Sequence, residues 1–129
     1  MKSAAALVLS MAIAGGTPLA QEATVRTLLS KDLAGATGRE VTMIVVEYPP
    51  GGVDAAHTHH AQALVYVLEG SIEMQVKAGA LVKLLPGQTF YEGPDDVHVV
   101  SRNASRTAPA KFVVFLVKDK GAPILTPVE

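Results

Sequence analysis

Between Thr24 and Lys118 the chain is cut about every 8 to 12 residues by glycine, proline or polar turn residues, and the runs between the cuts are rich in Val, Ile, Thr and aromatics. None sustains the roughly 3.6-residue period of an amphipathic helix. Segments this short cannot bury themselves, and β-branched side chains suit a pleated surface. The pattern predicts an antiparallel sandwich or small barrel with strands at Thr24–Leu29, Glu40–Tyr48, Leu64–Leu68, Ser71–Val76, Leu81–Leu85, Thr89–Glu92, Val97–Ser101 and Lys111–Lys118. Pro49-Pro50-Gly51-Gly52 gives Glu40–Tyr48 a hard stop, Glu69-Gly70 makes a hairpin turn, and Asp95 and Asp96 shape a turn with Pro94. Ser30–Gly38 and Arg102–Ala110 read as loops. Lys111–Lys118 is apolar enough to require burial on both faces or an interface.

A length of 129 residues suits one domain. The first twenty residues carry one lysine, an apolar run from Ala4 to Ala14 broken only by Ser10, and a small residue at Ala20 before the polar Gln21-Glu22, the pattern of a secretory signal peptide. A membrane span needs about 20 apolar residues, roughly twice this run. The expectation is a cleaved segment 1–20, an exported domain 21–129 in the periplasm or outside the cell, and no stable membrane span. Lys and Arg number 11 against 12 Asp and Glu, without a basic run, which argues against a nucleic-acid partner. With no cysteine, disulfides, thiol nucleophiles and thiolate metal sites are excluded.

All four histidines fall in two short stretches, His57-Thr58-His59-His60 and His98. In extended backbone alternate side chains share a face, so His57 and His59 point one way and Thr58 and His60 the other. Two imidazoles so placed can grip one ion, and His98 is the third imidazole available from a distant strand. Three neutral nitrogens at about 2.0–2.2 Å leave coordination positions for water or substrate. The competing reading is a solvated polar loop, with His98 satisfied by a backbone carbonyl.

With these residues in place, the chain resembles the cupin family, specifically its small single-domain members. Their first motif is a Gly, five residues, His-x-His, three or four residues, Glu, six residues and Gly; Gly51, His57, His59 and Gly70 match it. Their second is a Gly, five residues, Pro-x-Gly, two residues, His, three residues and Asn. Gly87 and His98 match, Gly93 and Asp95 replace the Pro and Gly, and Asn103 comes one residue late. The resemblance runs from Glu40 to Lys118 and implies an all-β, antiparallel jelly-roll β-barrel with a metal in its mouth. It also implies a homodimer in which an N-terminal strand such as Thr24–Leu29 pairs across subunits.

The family's ligand glutamate falls at Ala63, which cannot bind a metal. Gln62 is the substitute if the strand starts later or bulges, His60 if the loop is not extended, and water otherwise. The implied cofactor is a divalent transition metal: iron, manganese, zinc, nickel or copper. The implied partner is a small-molecule ligand, and the chemistry that of a dioxygenase, isomerase or lyase. A non-catalytic module binding a small ligand or a metal is the alternative, and Ala63 favours it. Glu92 is a candidate catalytic proton carrier if Phe90, on the same strand face, points inward; its competing reading is a surface carboxylate. Tyr66 and Tyr91 are candidates for hydrogen bonding a substrate, or barrel-wall packing. Arg102 could meet an anionic ligand or face solvent.

Overall fold

In a computed structural model, which describes residues 22–129, the patterned runs become ten strands and the described residues contain no helix. These are β1 (Thr24–Asp32), β2 (Arg39–Tyr48), β3 (His57–Thr58), β4 (Gln62–Glu69), β5 (Ile72–Val76), β6 (Val82–Leu84), β7 (Thr89–Glu92), β8 (His98–Asn103), β9 (Ala110–Asp119) and β10 (Thr126–Pro127). The expected signal peptide lies outside the described residues. The strands form two five-stranded sheets, ordered β1-β2-β9-β4-β7 and β10-β3-β8-β5-β6, with antiparallel pairing throughout. This is the expected jelly-roll architecture. The inward side chains of both sheets make one core, including Ile44, Tyr48, Val67, Ile72, Met74 and Leu116.

Several boundaries differ from the sequence pattern. Ser30–Asp32 continue β1, because their partners Thr42, Val41 and Glu40 extend the ladder past the hydrophobic run. Arg102 and Asn103 belong to β8, where they pair with Glu73 and Ile72. Within the chain β1 pairs along one side with β2, from Thr24 opposite Glu47 to Asp32 opposite Glu40, and forms the edge of its sheet. β9 is not buried on both faces: Ala110, Phe112, Val114, Leu116 and Lys118 point inward, while Phe115 is exposed on the outer face. The inward Lys118 is accommodated by its cross-strand partner Glu40 and by the Ala122 carbonyl. The Glu40 carboxyl is held below its ordinary value, chiefly by the hydrogen bond from Lys118.

Gly70, in the β4–β5 turn, has φ +73°, and a Cβ there would lie 2.5 Å from the Pro109 carbonyl oxygen. Gly121 has nearly the same conformation, φ +78°, with open space around it. Gly121→Ala should therefore lose only the left-handed backbone term, about 1–2 kcal/mol. Gly70→Ala must also displace backbone, and its loss should exceed that of Gly121→Ala by about 1 kcal/mol or more. Urea unfolding midpoints of the two variants check this ordering.

Candidate metal centre

Strand alternation brings His57 and His59 inward from the β3 segment, and the β3–β8 ladder sets His57 directly opposite His98. Ring centroids lie 4.8 Å apart for His57 and His59, and 5.0 Å for His57 and His98. Thr58 faces the other way, and its hydroxyl meets Nε2 of His60 at 3.0 Å. His60 is exposed and stands apart from the cluster.

One irregularity makes the second motif work. Between β5 and β8, Val76 pairs with His98 but Gln75 pairs with Val100, so β8 holds an extra residue, Val99, in a bulge. The bulge resets the alternation. His98, Ser101 and Asn103 are all buried, although strict period two could not put His98 on the same face as the other two. Asn103 then closes the neighbouring loop, donating to the carbonyls of Pro49 and Ala108 and accepting from the Ser105 amide. The late asparagine of the sequence pattern thus keeps an inward position.

The missing carboxylate arrives from a different strand. β7 pairs with β4 so that Glu92 stands directly opposite Ala63, with both side chains inward. Small Ala63 leaves room there, and Glu92 is only 2% exposed. Phe90 packs partly buried against the core, and its ring stacks on His98 at 5.9 Å. The surface reading of Glu92 is therefore replaced by a buried acid among three histidines. Gln62 starts β4 on its outward face and is exposed, so β4 directs it away from the cluster. Tyr66 shares that outward face at 47% exposure, beside Tyr91 of β7, and neither reaches the histidines. Arg102 is held by Glu73 at 2.6 Å.

The ligand-capable atoms of His57, His59, Glu92 and His98 all lie within 4.8 Å of one another, and all four residues are buried. Donors that share an ion at about 2.0–2.2 Å stand closer together than this, so the set would contract to close around one cation. The tautomers suit it. Nδ1 of His57 donates to the Ala55 carbonyl at 2.7 Å, and Nδ1 of His59 to the Ile124 carbonyl at 2.6 Å, leaving each Nε2 with a free lone pair. Burial pushes the His57 imidazole below its ordinary value; the carbonyl bond to Ala55 opposes that, His59 and His98 reinforce it, and Glu92 opposes it. The net effect favours the neutral, ligating form.

Protein partners alone do not satisfy the group. Oε2 of Glu92 is 3.6 Å from Nε2 of His59, and Oε1 is 3.0 Å from Nδ1 of His98. Despite that second distance, the directions do not make a hydrogen bond: Glu92 Oε1 and both ring nitrogens of His98 are buried without a partner. Each such orphan costs about 1–3 kcal/mol, and a cation would remove the deficit for the whole set. Three imidazoles and one carboxylate suit iron, manganese, zinc, nickel or copper.

The cluster lines a cavity of about 30 Å³, enough for about two water molecules. Its walls are mostly apolar, with Ile44, Val65, Met74 and Phe112 among them, and its other polar side chains are Asp54 and Ser101. These two are joined through Tyr48, whose hydroxyl donates to Asp54 at 2.6 Å and lies 2.6 Å from Ser101 Oγ. Burial first, then Asp54, pushes the Tyr48 phenol well above its ordinary value, keeping it a neutral link. Sequence reasoning missed this chain. Tyr48 reads as a strand-end aromatic and Ser101 as ordinary alternation, and only the bulge in β8 turns Ser101 inward with His98.

The fold and the site can be set beside known proteins. A protein of Klebsiella pneumoniae described as an uncharacterized conserved protein with a double-stranded beta-helix domain superposes with a TM-score of 0.66 at 24% identity, covering 88% of this chain and 90% of its own. The polyketide cyclase RemF from Streptomyces resistomycificus gives 0.63 at 23%, covering 84% and 72%. The DMSP lyase DddQ from Ruegeria pomeroyi gives 0.66 at 19%, covering 82% of this chain and 51% of its own. No curated protein matches the chain. The likeness in fold agrees with a family model, Cupin domain, that matches residues 44–116, the stretch spanning both histidine motifs and Glu92. The chain belongs to the cupin family.

Proposed function

We propose that this cupin is a metal-dependent enzyme for a small, oxygen-rich molecule, with a divalent transition metal held by His57, His59, His98 and Glu92. The observation that carries the reading is the unpartnered state of Glu92 Oε1 and both His98 nitrogens in a buried, mutually converging group. The ion would supply Lewis acidity at the cavity floor, and redox chemistry as well if it is iron or copper.

The chain's own residues do the rest. Apolar walls exclude water and strengthen every polar contact inside. Asp54, Tyr48 and Ser101 form a chain along which a proton can move: Ser101 Oγ accepts it from the ligand, Ser101 passes its own to Tyr48, and Tyr48 passes its own to Asp54. That assigns the acid–base work to Asp54, away from Glu92 and Tyr66. Dioxygenase, isomerase and lyase chemistry all fit such a site, and the choice among them follows from the metal. The binding-module alternative has one observation on its side, a cavity of about 30 Å³ that admits little beyond a solvent-sized ligand.

A homodimer belongs to the same proposal. The outer face of the β1-β2-β9-β4-β7 sheet carries exposed Leu64, Tyr66, Tyr91 and Phe115, and every residue of the edge strand β1 is exposed. A second copy covering that face would bury them.

Two outcomes are expected. Elemental analysis of the purified protein should find about one transition-metal ion per chain, absent from His57→Ala/His98→Ala. No uptake of any of the five metals after reconstitution would leave a barrel whose histidines serve as hydrogen-bonding groups. Sedimentation should give twice the chain mass, falling to one chain mass in Leu64→Asp/Phe115→Asp with metal content kept. A wild-type monomer would rule out the dimer.

A further inference from the structure

We infer that the C-terminal segment Ala122–Glu129 is both the positioning element for His59 and the movable wall through which the metal cavity is reached. The inference rests on the metal-centre reading for what the wall admits. It rests on geometry for the rest.

The segment runs alongside the histidine motif and touches it at successive points. The Ile124 carbonyl accepts from Nδ1 of His59 at 2.6 Å. Thr126 and Pro127, as β10, pair with Thr58 and His57, and the Val128 amide donates to the Ala56 carbonyl at 3.1 Å. A carbonyl can only accept, so the strap itself fixes the Nδ1–H tautomer of His59 and aims Nε2 at the cluster. Without Ile124 in place, that ring is free to turn or to change tautomer, and ligands so released lose about 10- to 100-fold in metal affinity.

The same segment separates two spaces. Inside is the cavity of about 30 Å³, with Ile124 and Leu125 in its wall. Outside is a depression of about 460 Å³ that shares Val25, Asp54 and Leu125 with it. Leu125 is the strap residue that lines both spaces. The inner space as it stands is too small for a substrate of several heavy atoms, so a wall must move.

The strap is the wall held by the least structure. β10 is a two-residue strand paired only with β3, and both its residues are exposed, whereas β2, β4 and β9 are strands of eight to ten residues packed into the core. Short, exposed ladders open at far lower free energy than core strands. Opening would also release His59, which couples access to the order of the metal site. The nearer end of the strap stays anchored, because the buried Lys118 donates to the Ala122 carbonyl at 2.6 Å.

The test uses the full chain, which has no cysteine of its own. Thr58 and Thr126 are directly paired, so Thr58→Cys/Thr126→Cys can be oxidised to lock the strap and reduced to free it. Diethyl pyrocarbonate labelling of the metal-free protein, followed by peptide mass spectrometry, reads access to His57, His59 and His98, with exposed Lys83 on the distant strand β6 as internal control. Locking should slow labelling of the three buried histidines roughly tenfold or more relative to the reduced form and leave Lys83 unchanged. Reduction should restore the wild-type rates. Val128→Pro, which removes the amide bonded to Ala56, should instead speed labelling of the three and disturb the ¹⁵N signature of the His59 Nδ1–H tautomer.

Equal rates in the locked and reduced forms, or wild-type rates and an unchanged His59 signal in a folded Val128→Pro, would overturn the inference. Cobalt uptake measured in parallel keeps the two readings apart. Wild-type protein that binds no cobalt ends the metal-centre reading, while the labelling rates and the His59 signal still decide the role of the strap.

Discussion

Four titratable side chains converge in an apolar barrel, and their own contacts leave a carboxylate oxygen and two ring nitrogens without partners. Much else in the structure serves that group. Desolvation favours the neutral form of His57, carbonyls of Ala55 and Ile124 fix His57 and His59 with Nε2 free, and Glu92 sets a carboxylate among the rings. A site of this kind is unfavourable by itself and favourable around a cation, which is why the arrangement points to binding more than to stability.

Two register features place the group. The Val99 bulge brings His98 and Ser101 to one face, so the third histidine and the Asp54–Tyr48–Ser101 chain open on the same cavity. The β4–β7 ladder puts Glu92 across from Ala63. The carboxylate has in effect changed strands, and the alanine is the space into which it reaches. Glu92 thus stands about 5 Å from Ala63 across the ladder, placed to compensate for the glutamate that the family pattern has at position 63.

The histidine cluster and the all-β class were legible because both follow from local rules: alternation within His57–His59, and β-branched runs between turn residues. Gln62 and Tyr66 lie on the outer face because alternation from the buried Ala63 sends both outward. Glu92 was noticed as an acid, but its partner Ala63 is 29 positions away. That proximity is a property of sheet order, which no local pattern records. The strap was invisible for a related reason. A proline-bearing tail has no strand signature, and its two paired residues gain their structure from β3 alone.

The most direct test of this account moves the carboxylate back. Cobalt affinity should be measured for the wild-type chain, for Glu92→Ala, and for Glu92→Ala/Ala63→Glu. Glu92→Ala should bind about 100-fold more weakly or worse, at or beyond the upper end of what losing an outer-shell partner costs. The double variant, carrying the acid on the facing strand, should recover most of that loss. If Glu92→Ala binds cobalt as tightly as the wild type, Glu92 is not part of the metal centre and the compensation argued here is wrong.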